Sequence, residues 1–129
     1  TLLDTTALGG LLQICERKKI SILLAAPYNS GILASGAVPG AKYWYADAPA
    51  EILDRVQRME AVCTKHGLSL QAAATQFPLA HPALASVAAG YRSPDEVRTA
   101  AAACRAEIPA AFWAELKSTG LLDPNAPSG

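Results

Sequence analysis

The chain has 129 residues, enough for one domain with a modest core, and its 11 basic residues balance its 11 acidic ones. That balance excludes the cationic field that would gather nucleic acid or an anionic membrane surface. The apolar fraction is 51%, much of it alanine, and the run Ile22 to Pro27 is far too short to span a bilayer, so the sequence reads as a soluble protein.

From Asp4 the apolar positions Leu8, Leu11, Leu12 and Cys15 recur at helical spacing, with Asp4 or Thr5 as N-cap and Arg17-Lys18-Lys19 at the far end. Ile20 to Ala26 is a short continuous apolar run closed by Pro27, the pattern of a parallel strand covered on both faces. Pro27 to Gly40 carries turn chemistry and predicts a long loop. The aromatic stretch Tyr43-Trp44-Tyr45 that follows is expected to pack on the rest of the fold rather than stack on a ligand. Ile52, Val56, Met59 and Cys63 share a stripe, predicting a helix from Pro49 or Ala50 to His66 with Gly67 as its stop. Ser69 caps a further short helix that Pro78 ends, and Ala83 to Gly90 predicts a second buried strand. Ser93-Pro94-Asp95-Glu96 is a capping box that opens a helix running towards Cys104, and Pro109 opens a last one ending at Gly120. Residues 1–122 are therefore expected to form the ordered segment and 123–129 a disordered tail.

This order of elements is that of an α/β fold, because parallel strands need helical crossovers. Two strands alone leave unpaired edges on both sides. Either the segment belongs to a larger barrel or copies of it associate. Cys15, Cys63 and Cys104 lie in apolar helical patterns at wide spacing, which predicts buried thiols rather than disulfides or a zinc site. The chain opens at Thr1 with neither an initiator Met nor a signal-peptide pattern; this favours a cytoplasmic location and leaves truncation open.

Loops at the carboxyl ends of parallel strands build the sites of such folds, so Pro27 to Ala34 and Gly90 to Ser93 are expected on one face. Gly90 allows close backbone approach, Arg92 supplies a guanidinium, and the helix opened by Ser93 presents amides, a set suited to a phosphate. An ordinary strand, turn and helix with a surface arginine fits the same residues, and on them alone stands slightly ahead. Asn29, Ser30 and Gly31 offer donors able to follow a pyrophosphate, or a plain polar turn. Neither GxGxxG nor a P-loop is present. His66 reads as a partner of a helix end, His81 as a solvated or a turn histidine, and no catalytic or metal constellation appears.

Three stretches taken together, Pro27-Tyr28-Asn29-Ser30-Gly31-Ile32-Leu33-Ala34, Gln76-Phe77-Pro78-Leu79-Ala80-His81-Pro82 and Gly90-Tyr91-Arg92-Ser93-Pro94-Asp95-Glu96-Val97, resemble the aldo-keto reductases. The likeness is greatest to the branch of D-threo-aldose 1-dehydrogenases, L-fucose dehydrogenases and some pyridoxal 4-dehydrogenases. The resemblance implies the last two strands and helices of a (β/α)8 TIM barrel, an oxidoreductase with NAD or NADP as cofactor, and a sugar-like or other carbonyl substrate. It implies that Tyr28, Asn29, Ser30, Gly31 and Leu33 face the pyrophosphate, and Gly90, Tyr91, Arg92, Ser93 and Glu96 the adenosine end. Thr99-Ala100 replace the Glu-Asn usual in the family, a departure at the adenine. Glu96 stands where phosphate-preferring members often carry a base, which favours NAD at least as much as NADP, while Arg92 argues the other way. The family's Asp-Tyr-Lys-His tetrad comes from the first four strands, to which nothing here corresponds. The chain is therefore expected to be inactive alone, as a fragment whose partner is the rest of the barrel. The competing reading is a noncatalytic module that binds a nucleotide or self-associates through its strand edges.

Overall fold

Consecutive glycines decide where the first helix begins. The computed structural model describes residues 1–128. In it the expected single helix from Asp4 divides at Gly9-Gly10 into a 3-10 turn, Thr6–Gly9, and helix α1, Leu11–Lys18, since paired glycines carry the lowest non-proline helix propensity. Thr5 is the N-cap without a side-chain cap bond, and Asp4 just before it accepts from the Thr6 amide through Oδ1 at 3.0 Å. Strand β1 is Ile22–Ala25. Beyond it lie a 3-10 turn, Asn29–Gly31, and the short helix α2, Ile32–Ser35.

The aromatic stretch forms a hairpin that periodicity did not predict. Strands β2, Lys42–Tyr43, and β3, Ala46–Asp47, pair antiparallel around Trp44-Tyr45, and both tip residues have positive φ (50° and 64°), the backbone of a two-residue hairpin turn. Tyr43 packs on the core, whereas Trp44 and Tyr45 point outward. The expected packing of this stretch therefore holds for one ring of the three.

Helix α3, Ala50–Lys65, ends as read, with Gly67 at φ 68° and the Leu68 amide bonded back to the Cys63 carbonyl at 2.9 Å. Ser69 Oγ accepts from the Ala72 amide to start α4, Leu70–Gln76, which runs into a 3-10 turn, Phe77–Ala80. Strand β4, Leu84–Ala88, lies parallel to β1. Helix α5, Pro94–Arg105, and helix α6, Ala110–Ser118, complete the order.

The parallel pair does not form the centre of the core. Burial gathers instead between α2, α3, α4, α6 and the two ends of the chain, through Leu2, Ile32, Leu33, Val56, Met59, Phe112 and Leu116. On β1 burial alternates, and Leu23 is 62% exposed. The expectation of strands covered on both faces is thus corrected: only the face carrying Ile22 and Leu24 is partly covered, and each strand has one hydrogen-bonded neighbour.

Two further expectations change and a third is narrowed. Cys104 is exposed while Cys15 and Cys63 are buried, because α5 buries only its alanine stripe, Ala100 and Ala103. His81 is the buried turn residue rather than the solvated one, its Nδ1 accepting from the Ala83 amide at 3.2 Å. The tail expected over 123–129 starts as an ordered turn. Asp123 accepts from the Asn125 and Ala126 amides, and Ala126 packs into the core at 1% exposed; Gly129 lies outside the described residues.

Two polar ties fasten the helical core. Arg55 on α3 donates to the carbonyls of Leu3, Leu2 and Leu121 at 3.1, 3.1 and 2.9 Å, joining both ends of the chain to one guanidinium. His66 Nε2 meets Glu115 Oε2 at 2.8 Å while Lys65 Nζ reaches the same carboxylate at 2.8 and 3.0 Å, and the His66 ring packs edge-on to Phe112. Replacing Arg55→Leu leaves partly buried carbonyls without their donor and should cost about 2 kcal/mol in urea unfolding. An unchanged midpoint would show that the ends are held by packing alone. Lys65 first, and then His66, hold the Glu115 carboxyl below its ordinary range. A lowered carboxyl stabilises above its unfolded-state pKa and loses that contribution as pH falls through the folded value. Below about pH 5 the wild-type chain should therefore lose stability more steeply than Glu115→Gln, as read from thermal midpoints across pH.

Candidate functional site

The carboxyl ends of β1 and β4 point the same way, which places the loops that follow them side by side. The β1 loop turns sharply. Ala26 has φ 54°, its amide donating to the Ala88 carbonyl at 3.1 Å, and Asn29, Ser30 and Gly31 follow at 47°, 62° and 106°. Such a run of left-handed residues is strained for Ala and Ser, and strain of this kind concentrates at sites that need a fixed loop shape.

Between the loops opens a cleft of about 730 Å³. Of the residues named from the sequence, Tyr28, Ser30, Gly31, Gly90, Tyr91, Arg92 and Glu96 line it. Asn29, Leu33 and Ser93 do not. Leu33 is fully buried in the core, and Ser93 is occupied as the N-cap of α5, its Oγ accepting from the Glu96 amide at 3.2 Å. Asn29 lines a neighbouring cavity, and its side-chain Oδ1 is buried without a hydrogen-bond partner. At Gly31, Gly40 and Gly90 a β-carbon would meet nothing within 4 Å, so the cleft wall there is bare backbone facing open space.

The floor is a short polar chain. The Tyr28 hydroxyl lies 3.1 Å from Thr75 Oγ1 and accepts from Gln71 Nε2 at 3.4 Å, and Thr75 donates to the Gln71 carbonyl at 2.7 Å. Partial desolvation, followed by the adjacent Tyr28, pushes the Tyr91 phenol up to about 12, although the residue is 41% exposed; like any phenol it is a neutral hydroxyl at physiological pH.

At the entrance to α5 the capping box is shifted by one residue. Glu96 Oε2 accepts from the amide of Arg92 at 2.7 Å, not from that of Ser93, while its Oε1 takes the Arg92 guanidinium at 3.1 Å. The backbone bond first, and then the side-chain contact, hold the Glu96 carboxyl below its ordinary range. One carboxylate therefore lies beside the helix amides and Arg92 and offsets the positive field that an incoming anion would meet there.

Lys42 also lines the cleft, paired with Asp47 at 2.5 Å. No local motif marks it, because its position depends on the hairpin. The hairpin is in turn tied to the β1 loop, Ser30 Oγ accepting from the Tyr45 amide at 3.0 Å. Among the described residues no group of His, Cys, Asp and Glu is placed to hold a metal ion, and no helix is long and apolar enough to cross a membrane.

Comparison with known proteins assigns this arrangement to a family. The chain is similar to a pyridoxal 4-dehydrogenase of Microbacterium luteolum, 38% identical over 122 residues that are 95% of this chain and 36% of that protein. It is similar to a D-threo-aldose 1-dehydrogenase of a Pseudomonas species, 37% identical over 95% of this chain and 37% of that protein. In structure it matches an aldo-keto reductase of Bacillus halodurans in its holo form, with TM-score 0.67 and 22% identity over 95% of this chain and 40% of that one. The chain thus spans little more than a third of the length of the curated relatives it matches, and its α/β fold is the corresponding part of their barrel fold, without closure. Residues 2–120 match the Aldo/keto reductase family, and the chain belongs to that family.

Proposed function

We propose that the chain is the cofactor-binding carboxyl-terminal part of an NAD(P)-dependent aldo-keto reductase acting on a sugar-like aldose or other carbonyl substrate. The observation that carries this reading is the cleft itself, where loops from the carboxyl ends of both parallel strands meet around bare glycine backbone. A nucleotide needs such close backbone approach for its phosphates and neutral hydroxyls for its ribose. Tyr28, Ser30 and Gly31 would hold the pyrophosphate end, with Asn29 and Leu33 supporting the loop. Gly90, Tyr91, Arg92 and Glu96 would hold the adenosine end, with Ser93 fixing the start of α5 as its N-cap. A bound nicotinamide cofactor supplies the hydride chemistry. The residues of this chain bind and orient it, while proton transfer belongs to parts of the barrel that this chain does not span. The chain alone is accordingly inactive.

Cofactor preference turns on Glu96. Its carboxylate already offsets Arg92 and lies beside the start of α5, so a 2′-phosphate would have to displace it or face it, and like charge opposes both. NAD is therefore bound at least as readily as NADP.

A second reading, a noncatalytic self-associating module, is favoured by the exposure of Leu23 on a strand with a single neighbour. Unpaired strand edges template pairing with another chain, whether the remainder of the barrel or a second copy.

Calorimetric titration of the chain with each dinucleotide tests the first reading. Saturable binding of NAD no weaker than NADP is expected, and Glu96→Gln should shift the ratio towards NADP by about tenfold. Much tighter NADP binding by the unaltered chain overturns the preference, and no saturable binding of either dinucleotide overturns the cofactor role.

A further inference from the structure

We propose that Glu60 of α3 is a positioning residue for the cleft: without touching the dinucleotide, it anchors the backbone wall against which the cofactor would lie. This rests on the cofactor-binding reading above and adds to it a residue that the cleft's own loops do not contain.

The wall is the turn that follows α2. Val38, Pro39, Gly40 and Ala41 close on themselves, the Ala41 amide donating to the Val38 carbonyl at 3.0 Å with Gly40 at φ 78°. The same four residues line the cleft and a second hollow of about 440 Å³ bounded by Asp47, Ala48 and Leu53. The turn is thus a partition with open space on both faces, and packing alone does not fix it between its ends. At the far end Ala41 is buried, and its carbonyl accepts from the Ala48 amide at 2.9 Å. At the near end Ala37 gives only a methyl group to the core, and the polar tie is Glu60, whose Oε2 accepts from the Ala37 amide at 3.3 Å. Among the described residues no other hydrogen bond joins residues 37–40 to another element.

Two further observations mark this contact as a built seat. Gly36, buried and at φ 81°, lies directly under the carboxylate: a β-carbon there would overlap Glu60 Oε1 and come within 2.9 Å of its Cδ. Glu60 therefore occupies the space that any other residue at position 36 would need. Among the described residues, moreover, no Lys, Arg or His pairs with Glu60, although it is half-buried. A half-buried carboxylate without an ion pair is unfavourable unless it accepts hydrogen bonds, and the amide it accepts from begins the cleft's wall. The effect on the cofactor is one of population. A wall held in one position binds with the full affinity of its contacts, whereas a wall spread over several binds with that affinity reduced by the fraction correctly placed. Glu60 sets that fraction from 23 residues away in sequence.

The test compares Glu60→Ala and Glu60→Gln with the unaltered chain, by calorimetric titration with NAD and by amide hydrogen exchange read by NMR without cofactor. Glu60→Ala is expected to weaken NAD by about five- to tenfold. It should also speed exchange at the bonded amides of Gly36, Ala37 and Ala41 while α3 and α6 keep their protection. Glu60→Gln keeps a carbonyl acceptor for the Ala37 amide and should restore affinity to within about twofold, together with the slow exchange. A role confined to stability would instead speed exchange throughout the helices and leave NAD affinity of the folded chain unchanged. That pattern, unchanged exchange at the three amides, or Glu60→Gln behaving like Glu60→Ala would each overturn the proposal. NAD binding that Glu60→Ala leaves unaltered sinks this inference alone. An unaltered chain that binds no dinucleotide sinks the cofactor reading instead, and exchange then decides: loosening confined to the three amides and reversed by Glu60→Gln upholds Glu60 as the anchor of the wall, and its absence overturns it.

Discussion

One guanidinium organises this chain. Arg55 projects from the middle of α3 and gathers the carbonyls of Leu2, Leu3 and Leu121, so segments separated by nearly the whole sequence end on the same donor group. The side chains of those leucines lie in the core. Burying them strips water from their carbonyls, and a buried carbonyl without a donor costs about 1–3 kcal/mol. Arginine meets the need because its planar fork serves several acceptors at once, which a lysine ammonium on a flexible stem does less well. The consequence reaches the site. Once Leu2 and Leu3 are fixed, Asp4 is carried to the end of β1, where with Asn29, Trp44 and Tyr45 it lines the cavity that adjoins the cleft.

The same tie explains how a fold with so little sheet has a core. In a parallel α/β domain the sheet normally supplies the apolar layer that helices cover. Here β1 and β4 make a single parallel pair, with Leu23 open to solvent, and helix packs on helix instead. Phe112 and Trp113 of α6 stack edge to face at 5.0 Å, and Trp113 lies 6.0 Å from Phe77 beyond α4. The strands keep one task, that of aiming their carboxyl ends at a common face.

What could be read in the sequence was what is encoded locally. Ser69, Ser93 and Gly67 mark helix ends because a cap depends on its own residue and on amides within one turn, and all three sit where their chemistry predicts. The hairpin was illegible for the complementary reason: Trp and Tyr are poor residues for positive φ, so no turn signal announced it. Cys104 was misjudged, and the choice for His81 between a solvated and a turn residue stayed open, because exposure is decided by what packs alongside, which neither periodicity nor a neighbouring proline reports. The cleft was half legible. Strand-end loops can be named from the order of elements, but that Leu33 turns into the core, that Ser93 is used up as a cap and that Lys42 enters the cleft all follow from tertiary placement.

Glu96 shows why residue type alone does not determine charge at a site. In the sequence it is the third residue of a helix, where a carboxylate is expected to reach back to the cap amide. It reaches one residue further, to Arg92, and that displacement cancels a cation that would otherwise read as a phosphate anchor. The ion pair itself is exposed, with the guanidinium side chain 92% accessible, so it adds little to stability. Its effect is on the field that an arriving anion meets, because the carboxylate beside the exposed guanidinium offsets its positive charge at the start of α5. Selectivity between dinucleotides that differ by one phosphate can rest on such a pair without any change in the fold that carries it.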